Sequence, residues 1–356
     1  MTDSLFSIPR IPYLRLRLTL RAQQAATLPA YKGSMLRGAF GHALRKAVCV
    51  ATPEQPCATC LLRNDCYHTL LFEPVFEGTV PAPLADLPII PRSYIFEPAA
   101  PSEPNNARHL EAGDPLEFDL LLFGRATDLQ LYALLACERM AVAGLGRNRV
   151  PFRLESALVQ TPDGSWRVVL GDGRMRGRGS TRPSYPSDDP IPGRGAVLHF
   201  LTPTRLRIED DQVETVTFPE LVAAMARRVF EVAFFHVQDA VLDWNLDRLL
   251  AEAHQIELVR CDLQWHDWER YNAHQHTLMN MGGFLGTVEI AGDLAPFTPL
   301  LRATEILHLG RGTPFGLGRM VINSPDGEAP FVDPGSRERT PIGDVYYHPL
   351  DPGFFL

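Results

Sequence analysis

The spacing of apolar residues changes between a two-residue and a helical period in the same order twice along the chain, and this repeat constrains the fold most strongly. The segment YLRLRLTLR at residues 13–21 alternates leucine with arginine or threonine, which predicts a half-buried strand. Apolar residues then recur at helical spacing through residues 34–49. The remaining elements predicted in this half are strands near 88–96 and 115–123, a helix that opens at Thr127 and stops at Gly144, and strands near 151–160 and 166–170.

The same order begins again in the second half of the chain. The predicted elements are a strand at 196–201, helices at 219–236 and 239–253, strands at 256–265 and 284–291, a helix at 298–308 and a closing strand at 320–322. Each half follows the order β-α-β-β-α-β, which is the ferredoxin-like arrangement. The sequence therefore predicts an α+β protein of two tandem ferredoxin-like (RRM-like) domains, with a cysteine-bearing insert in the first.

Segments of unusual composition set the predicted domain boundaries. Residues 171–194 are dense in Gly, Pro, Ser and Arg, which predicts a linker or a long exposed loop. The N-terminal domain then covers residues 1–170, with a four-cysteine insert at about 49–66, and the C-terminal domain covers 195–324 with a glycine-rich loop. Residues 325–356 are rich in Pro, Gly and aromatic residues and are predicted to form an extended tail.

Basic residues are concentrated in two segments although the chain is acidic overall. The 356 residues include 34 basic and 42 acidic side chains, for a net charge of −8. Residues 1–46 hold eight basic residues and one acidic residue (+7), and residues 144–182 hold eight and three (+5), so the remainder carries −20. A site built from both segments could bind a polyanion such as a nucleic acid, whereas a solvated arginine-rich surface would give the same pattern.

The chain has no apolar run of about 18 residues, and its N-terminus MTDSLFSIPR lacks the apolar core of a signal peptide. These features predict a cytoplasmic protein without a membrane partner.

A glycine-rich loop follows the second helix of each predicted half, GLGRNRVPF at 144–152 and LGRGTPFGLGR at 309–319. Glycines let backbone amides approach phosphate oxygens, and arginines add bidentate phosphate contacts. The G-K-[ST] of nucleotide hydrolases is absent, and the loop follows a helix where the dinucleotide fingerprint follows a strand. Either loop alone could be a turn with structural glycines, but their equivalent positions favour a binding role.

Several stretches carry a resemblance to a known family. They are LRGAFGHAL at 36–44, CATCLLRNDCYHTLLFEP at 57–74, WERYNAHQ at 268–275 with MGGFLG at 281–286, and HLGRGTPFGLGR at 308–319. With the tandem ferredoxin-like order, they resemble the repeat-processing (pre-crRNA) endoribonuclease branch of the RAMP superfamily of CRISPR-associated proteins, from about residue 12 to 322. The resemblance implies that the partner is CRISPR repeat RNA or its crRNA product, with a CRISPR effector complex as a further partner. The alternative function is that of a non-catalytic RNA-binding RAMP subunit of such a complex.

The resemblance also implies RNA cleavage without a metal, by attack of the ribose 2′-hydroxyl on the adjacent phosphorus to leave a 2′,3′-cyclic phosphate. This chemistry needs an acid, a base and cations, and histidine is the natural proton carrier at neutral pH. By resemblance, His42 on the first helix is the general acid/base, Lys46 one turn later stabilises the phosphorane, and Tyr31 supports them. His42 could instead pack as a partly buried helix residue. The other candidate for the catalytic histidine is His308, which could equally position the glycine-rich loop or contact a phosphate.

The predicted RNA-binding residues lie on the first helix and in or beside the two glycine-rich loops. They are Arg37, Arg147, Arg149, His308, Gly310, Arg311, Gly312, Gly316, Gly318 and Arg319.

Four of the six cysteines are clustered in sequence: Cys49, Cys57, Cys60 and Cys66. In a cytosolic chain this clustering favours a metal over disulfides. Four thiolates suit a structural zinc ion, but an iron–sulfur cluster takes the same ligands, and thiols without metal or partly in disulfides stay open. His68 could replace one thiolate. No cofactor is expected to take part in catalysis.

Overall fold

The computed structural model describes residues 8–325, apart from 53–54, 86, 88, 100–107, 172, 177–180, 207–215, 241, 243–245, 267–268 and 273–276. The predicted tail beyond Pro325 lies outside the described residues, as do parts of the predicted linker and of the stretch WERYNAHQ. Among the helices that are described, none combines the length and the apolar character needed to cross a membrane.

The first half of the chain forms a six-stranded antiparallel sheet. Its elements are β1 (Tyr13–Ala22), β2 (Ala26–Thr27), α1 (Gly33–Val48), α2 (Tyr67–Phe72), β3 (Tyr94–Pro98), β4 (His109–Leu110), β5 (Pro115–Phe123), α3 (Gln130–Ala143), β6 (Phe152–Gln160), β7 (Trp166–Gly171) and β8 (Arg174–Met175). The strand order is β3-β5-β1-β6-β7-β8, and β2 pairs with β4 separately. The part β3-β5-β1-β6 is the ferredoxin-like order, because the first strand lies between the third and the fourth.

The second half repeats this arrangement on a four-stranded sheet. Its elements are β9 (Gly195–Thr204), α4 (Phe218–His236), α5 (Asp247–Ala253), β10 (Glu257–His266), β11 (Glu269–Asn272), β12 (Thr277–Asn280), β13 (Gly283–Ala291), α6 (Thr298–Leu307) and β14 (Met320–Asn323). The strand order β10-β13-β9-β14 matches β3-β5-β1-β6 of the first half, and β11 pairs with β12 as a separate hairpin. The predicted class, two tandem ferredoxin-like units, is confirmed.

The alternation in β1 determines which face of the first sheet is covered by helices. Its four leucines are completely buried, in one core with the apolar faces of α1 and α3: Leu14, Leu16, Leu18 and Leu20. Burial of each leucine contributes about 1.5–3 kcal/mol to folding. The arginines between them lie on the other face, where Arg17 pairs with Asp119 of β5 (Nε to Oδ1, 2.9 Å).

The edge of the first sheet formed by β3 and β5 also packs against the second unit. Ile95 of β3 with Leu121 and Phe123 of β5 belongs to the same buried cluster as the apolar face of α4. His236, the last residue of α4, donates from Nε2 to the carbonyl oxygen of Pro91 at 2.6 Å. A shared apolar interface therefore fixes the two units against each other, and this places the loop after α6 beside α1.

Two predicted elements begin later than the sequence suggested. The helix predicted from residue 239 begins at Asp247, since Asp239 takes a left-handed conformation (φ +55°) that a continuous helix cannot contain. The strand predicted from residue 88 begins at Tyr94, after Pro91, which has no amide hydrogen for a strand ladder. The sequence did not predict α2 or the β11–β12 hairpin.

Candidate active site and RNA interface

The exposed face of α1 carries the predicted catalytic histidine. His42 is exposed, and Gly38 and Lys46 lie one turn before and one turn after it on the same face. No neighbouring element comes within 4 Å of the position that a Cβ on Gly38 would take. The structure therefore places His42 and Lys46 together on an open helix surface, where a long polymer can reach them.

Positive charge surrounds His42. Arg149 comes from the exposed turn between α3 and β6, where it takes a left-handed conformation (φ +48°) and where Arg147 is exposed as well. Partial burial lowers the pKa of His42, and the charges of Lys46, Arg149 and Arg45 lower it further. The imidazole is consequently neutral near pH 7 and able to accept a proton, beside cations that suit a phosphate.

The structure does not bring Tyr31 to His42. Tyr31 lies just before α1 and donates from its hydroxyl to the carbonyl oxygen of Phe315, 2.6 Å away in the glycine-rich loop. Burial raises the pKa of Tyr31, and the nearby Glu97 raises it further, so the phenol stays protonated. His42 is nine residues into the helix from Gly33, about 14 Å along the axis. Tyr31 thus belongs to the contact between α1 and the loop.

The glycines of the loop after α6 let it pack closely. Gly310, Gly312, Gly316 and Gly318 all have positive φ, between 72° and 88°. A Cβ on Gly316 would overlap the Phe96 carbonyl oxygen and lie 3.0 Å from the Tyr31 hydroxyl. Any other residue would be strained there, because the backbone is left-handed and the space is filled.

Several amides of this loop already have acceptors in the fold. The amides of Gly316 and Gly318 donate to the carbonyl oxygens of Thr313 (2.8 Å) and Pro203 (3.1 Å). The amide of Arg311 donates to Arg205 O at 3.0 Å. These three amides are therefore not available to a phosphate, contrary to what the sequence suggested for the two glycines. The side chain of Arg311 is exposed and that of Arg319 partly exposed, so these two can contact RNA.

Beneath the loop lies a buried ionic cluster centred on Glu97 of β3. In His308, which has no exposed surface, Nε2 lies 2.8 Å from Glu97 Oε1 and Nδ1 lies 3.0 Å from the Leu317 carbonyl oxygen. Arg15 of β1 forms an ion pair with Glu97, and an Arg319 guanidinium nitrogen lies 3.9 Å from it. Burial opposes ionisation of Glu97, but these cations outweigh it and hold its pKa well below 4.5.

The burial of His308 decides between its two predicted roles. Its ring has no surface for an RNA contact, so the predicted RNA-binding role does not fit this structure. Its Nε2 instead ties the start of the loop to Glu97 of β3 in the other unit, 211 residues away in sequence, and its Nδ1 bonds to Leu317 within the loop. His308 therefore positions the loop.

Arg37 lies in a second basic site beside the loop. Its guanidinium carbon is 5.3 Å from the Phe72 ring centre and 5.1 Å from that of Phe315. Arg92, half-buried, lies near it. Burial and the Arg37 charge lower the pKa of Arg92, and Tyr94 and Glu73 oppose this shift. Within the described residues, neither arginine forms an ion pair with a carboxylate, and the buried Arg37 Nε and Tyr94 hydroxyl have no hydrogen-bond acceptor. Two partly buried guanidinium groups, of which Arg37 keeps an Nε donor without an acceptor, form a seat for an anion.

The structure groups the cysteines differently from the four-thiolate prediction. Cys57 Sγ lies 3.8 Å from His68 Nδ1, and with Glu73 these ligand atoms are all within 4.8 Å of one another. Burial raises the pKa of the Cys57 thiol, and the neighbouring Glu73, Cys66 and Cys49 also raise it. Cys60 is not part of this group of three ligands. The four-thiolate site stays a prediction.

The comparisons with known proteins agree with this picture. Residues 11–181 match the family AF_1859_N, described as an N-terminal domain, and residues 198–320 match the family described as CRISPR-associated endoribonuclease Cas6. No match was found among curated proteins.

Solved structures that resemble the chain include a partial Cas6-RT-Cas1–Cas2 complex, with 11% identity, a TM-score of 0.53 and coverage of 92% of this chain and 49% of that one. A Cas6 product complex has 16% identity, a TM-score of 0.49 and coverage of 87% and 99%. Thermus thermophilus Cas6 has 15% identity, a TM-score of 0.47 and coverage of 88% and 98%.

The fold of the described residues is therefore a pair of tandem ferredoxin-like units with a glycine-rich loop after the last helix. The match of residues 198–320 to the Cas6 family supports the resemblance noted in the sequence.

Three residues of the site were not predicted from the sequence: Gly38, Arg92 and Glu97. The signal for Glu97 was a single carboxylate in the otherwise apolar strand SYIFEP, since a buried charge needs partners. The sequence places Gly38 one helical turn before His42, but it does not show whether this glycine faces solvent or a neighbouring element. Arg92 had no signal.

Proposed function

We propose that the chain cuts CRISPR repeat RNA at the exposed face of α1, with no metal in the reaction, and leaves a 2′,3′-cyclic phosphate. The observation that supports this most directly is the grouping of a neutral, accessible His42 with Lys46 and Arg149. A histidine whose pKa is lowered is deprotonated at neutral pH, as a general base must be.

In the proposed step, the 2′-hydroxyl of the nucleotide before the cut gives its proton to His42 as its oxygen attacks the adjacent phosphorus. The new 2′-O–P bond closes the cyclic phosphate, and the P–O5′ bond breaks. The 5′ oxygen leaves as a hydroxyl with a proton from water, and the hydroxide formed takes back the proton that His42 received, which restores the neutral imidazole. Lys46 and Arg149 lie beside the histidine, where their charges would stabilise the extra negative charge of the phosphorane.

The RNA backbone is proposed to follow α1 from the glycine-rich loop towards His42. Arg37 lies five residues before His42, about 8 Å along the helix axis and about 140° around it, so a strand that contacts both must wrap around α1. The anion seat of Arg37 and Arg92 would hold one phosphate, and Arg311 would contact the strand at the loop. Arg147 would extend the path beyond His42.

Tyr31, His308 and the loop glycines are proposed to position these groups. Tyr31 bonds the loop to the start of α1, and His308 bonds it to β3. Because Phe315 of the loop also stacks on Arg37, a shift of the loop would displace an RNA contact without touching the RNA.

The proposed partners are the repeat RNA and its crRNA product. One similar structure is a Cas6-RT-Cas1–Cas2 complex, in which the matched chain is about twice as long as this one. By that likeness, association with other CRISPR proteins is proposed as well.

Cleavage of labelled repeat RNA in EDTA tests the proposal. The wild type should cut, and the 5′ fragment should resist phosphatase until acid opens its cyclic end. The His42→Ala variant should lose activity by roughly 10²–10⁴-fold while still binding RNA. His254→Ala, which removes an exposed histidine of the second unit, is the matched control and should cut normally.

Two results would oppose this proposal. If the wild-type protein binds repeat RNA without cutting it, the chain is a non-catalytic RNA-binding subunit. A His42→Ala variant that cuts at the wild-type rate would remove the histidine from the reaction.

A further inference from the structure

The insert between α1 and α2 brings together a group of potential metal ligands that is independent of the cleavage site. Cys57 Sγ, His68 Nδ1 and a carboxylate oxygen of Glu73 lie within 4.8 Å of one another. Two ligands of one tetrahedral zinc ion, bound at about 2.3 Å (sulfur) and 2.0 Å (nitrogen), are separated by about 3.5 Å. The 3.8 Å between Cys57 Sγ and His68 Nδ1 is close to this value.

The three ligand-bearing residues come from different local structures that the fold holds in place. Cys57 begins a single 3₁₀ turn (Cys57–Thr59), His68 is the second residue of α2, and Glu73 follows α2 directly. His68 is buried, and its ring stacks on Phe72 at 5.3 Å with an angle of 6° between the planes. The ring is therefore fixed with Nδ1 towards the thiol, so little ordering is needed for binding.

We propose that Cys57, His68 and Glu73 bind one zinc ion, with a thiolate of Cys49 or Cys66 as the fourth ligand. A mixed set of sulfur, nitrogen and oxygen donors suits zinc. An iron–sulfur cluster requires thiolates at most of its positions, and no second group of three such ligands occurs within the described part of the chain. Cys49 directly follows α1 and Cys66 directly precedes α2, so a Cys49 thiolate would join the two helices through the ion, whereas a Cys66 thiolate would complete the site from the α2 side.

The site would hold α2 in place against α1. Phe72 of α2 packs on Phe40 (ring centres 5.8 Å apart) and under the guanidinium of Arg37. A Cβ on Gly41 would lie 2.8 Å from Phe72 Cζ, so the two helices are in close contact beside His42. The role of the ion is therefore structural, and the cleavage step does not pass through it.

Zinc content of the purified full-length chain tests the site. After incubation with zinc chloride and dialysis, the wild type should retain about one zinc per chain by elemental analysis, and Cys57→Ser and His68→Ala should each retain almost none. Cys60→Ser is the matched control, since the proposed site retains zinc without this thiol and a four-thiolate site does not. Either Cys49→Ser or Cys66→Ser should also lose zinc.

Cobalt substitution gives a second readout. Cobalt bound by the wild type should show a thiolate charge-transfer band, and Cys57→Ser should abolish or strongly weaken it. Circular dichroism of each variant identifies any loss of zinc that follows from unfolding, and Cys57→Ser is the mildest of the changes because the side chain is only half-buried.

Three results would overturn the proposal: a wild type that retains no zinc, loss of zinc in Cys60→Ser with retention in His68→Ala, or a coloured iron-containing protein. None of them bears on cleavage by His42. When zinc and cleavage are measured in the same sample, zinc-loaded protein that fails to cut RNA would count against the proposed function alone.

Discussion

Two glycines of α1 give opposite predictions for the same substitution. Gly33, the first residue of the helix, lies against the glycine-rich loop, and a Cβ there would overlap the Phe315 carbonyl oxygen and lie 2.8 Å from its carbon. Gly38, five residues later, faces open space. Both positions are helical, so any difference between Gly33→Ala and Gly38→Ala arises from the contact with the loop.

The expected magnitudes follow from these surroundings. Alanine is favoured over glycine in a helix by about 0.8–1.0 kcal/mol, so Gly38→Ala should raise the free energy of unfolding by roughly this amount. In Gly33→Ala the loop must move by on the order of 1 Å, because ordinary carbon contacts are about 3.5–4.0 Å. Overpacking costs about 1–3 kcal/mol, and an impaired buried hydrogen bond from Tyr31 to Phe315 costs about 1–3 kcal/mol. After the gain in helix propensity, a net loss of roughly 2 kcal/mol is expected.

Chemical denaturation of the two variants beside the wild type measures these changes, and RNA titration measures their consequence. Gly33→Ala should also weaken RNA binding, since Phe315 stacks on Arg37. A Gly33→Ala variant as stable and as tight in RNA binding as Gly38→Ala would refute the close packing of the loop on α1.

Three further predictions concern charge. Lys46→Ala removes a cation that lowers the pKa of His42, so the pKa of His42 should rise towards 6.5. The acid limb of the pH–rate profile should then move to higher pH. If the acid limb stays at the same pH, His42 is not the base. Glu97→Gln should lower the free energy of unfolding at pH 7 by about 3–5 kcal/mol, since it leaves buried cations unpaired. This contribution of Glu97 is present above its ordinary pKa of 4.5 and is lost as the pH falls through its lowered pKa. Equal stability of the variant and the wild type at pH 7 would contradict the ionic cluster. Arg92→Ala should weaken RNA binding and reduce the slope of log K against log salt by about 0.7, the value for one phosphate of a single strand, whereas an unchanged slope would remove Arg92 from the RNA path.

Much of the fold was predictable because the spacing of apolar residues within each segment distinguishes strands from helices. The leucine alternation of β1 and the helical spacing of α1 appear in the structure within one residue of the predicted bounds. The repeated β-α-β-β-α-β order then predicted the ferredoxin-like arrangement for each half of the chain. The late start of α5 was not predictable, since the left-handed conformation of Asp239 has no reliable sequence signal.

The candidate site was predictable in part. His42 and Lys46 were placed together because a helix puts residues four apart on one face. The sequence could not show that Tyr31 bonds to Phe315, 284 residues away, or that His308 is buried against Glu97. Such contacts depend on how the two units pack, which a periodicity within either unit does not encode.

The sequence by itself determined the elements, their repeated order and the presence of a histidine and a lysine on one helix face. Tertiary structure alone decided what the glycines of the loop do. Their spacing suggested amides offered to phosphates, but packing against α1 and β3 gives Gly316 and Gly318 internal acceptors. The physical reason is that a left-handed backbone permits both close packing and anion binding, and only the neighbouring atoms determine which of the two occurs.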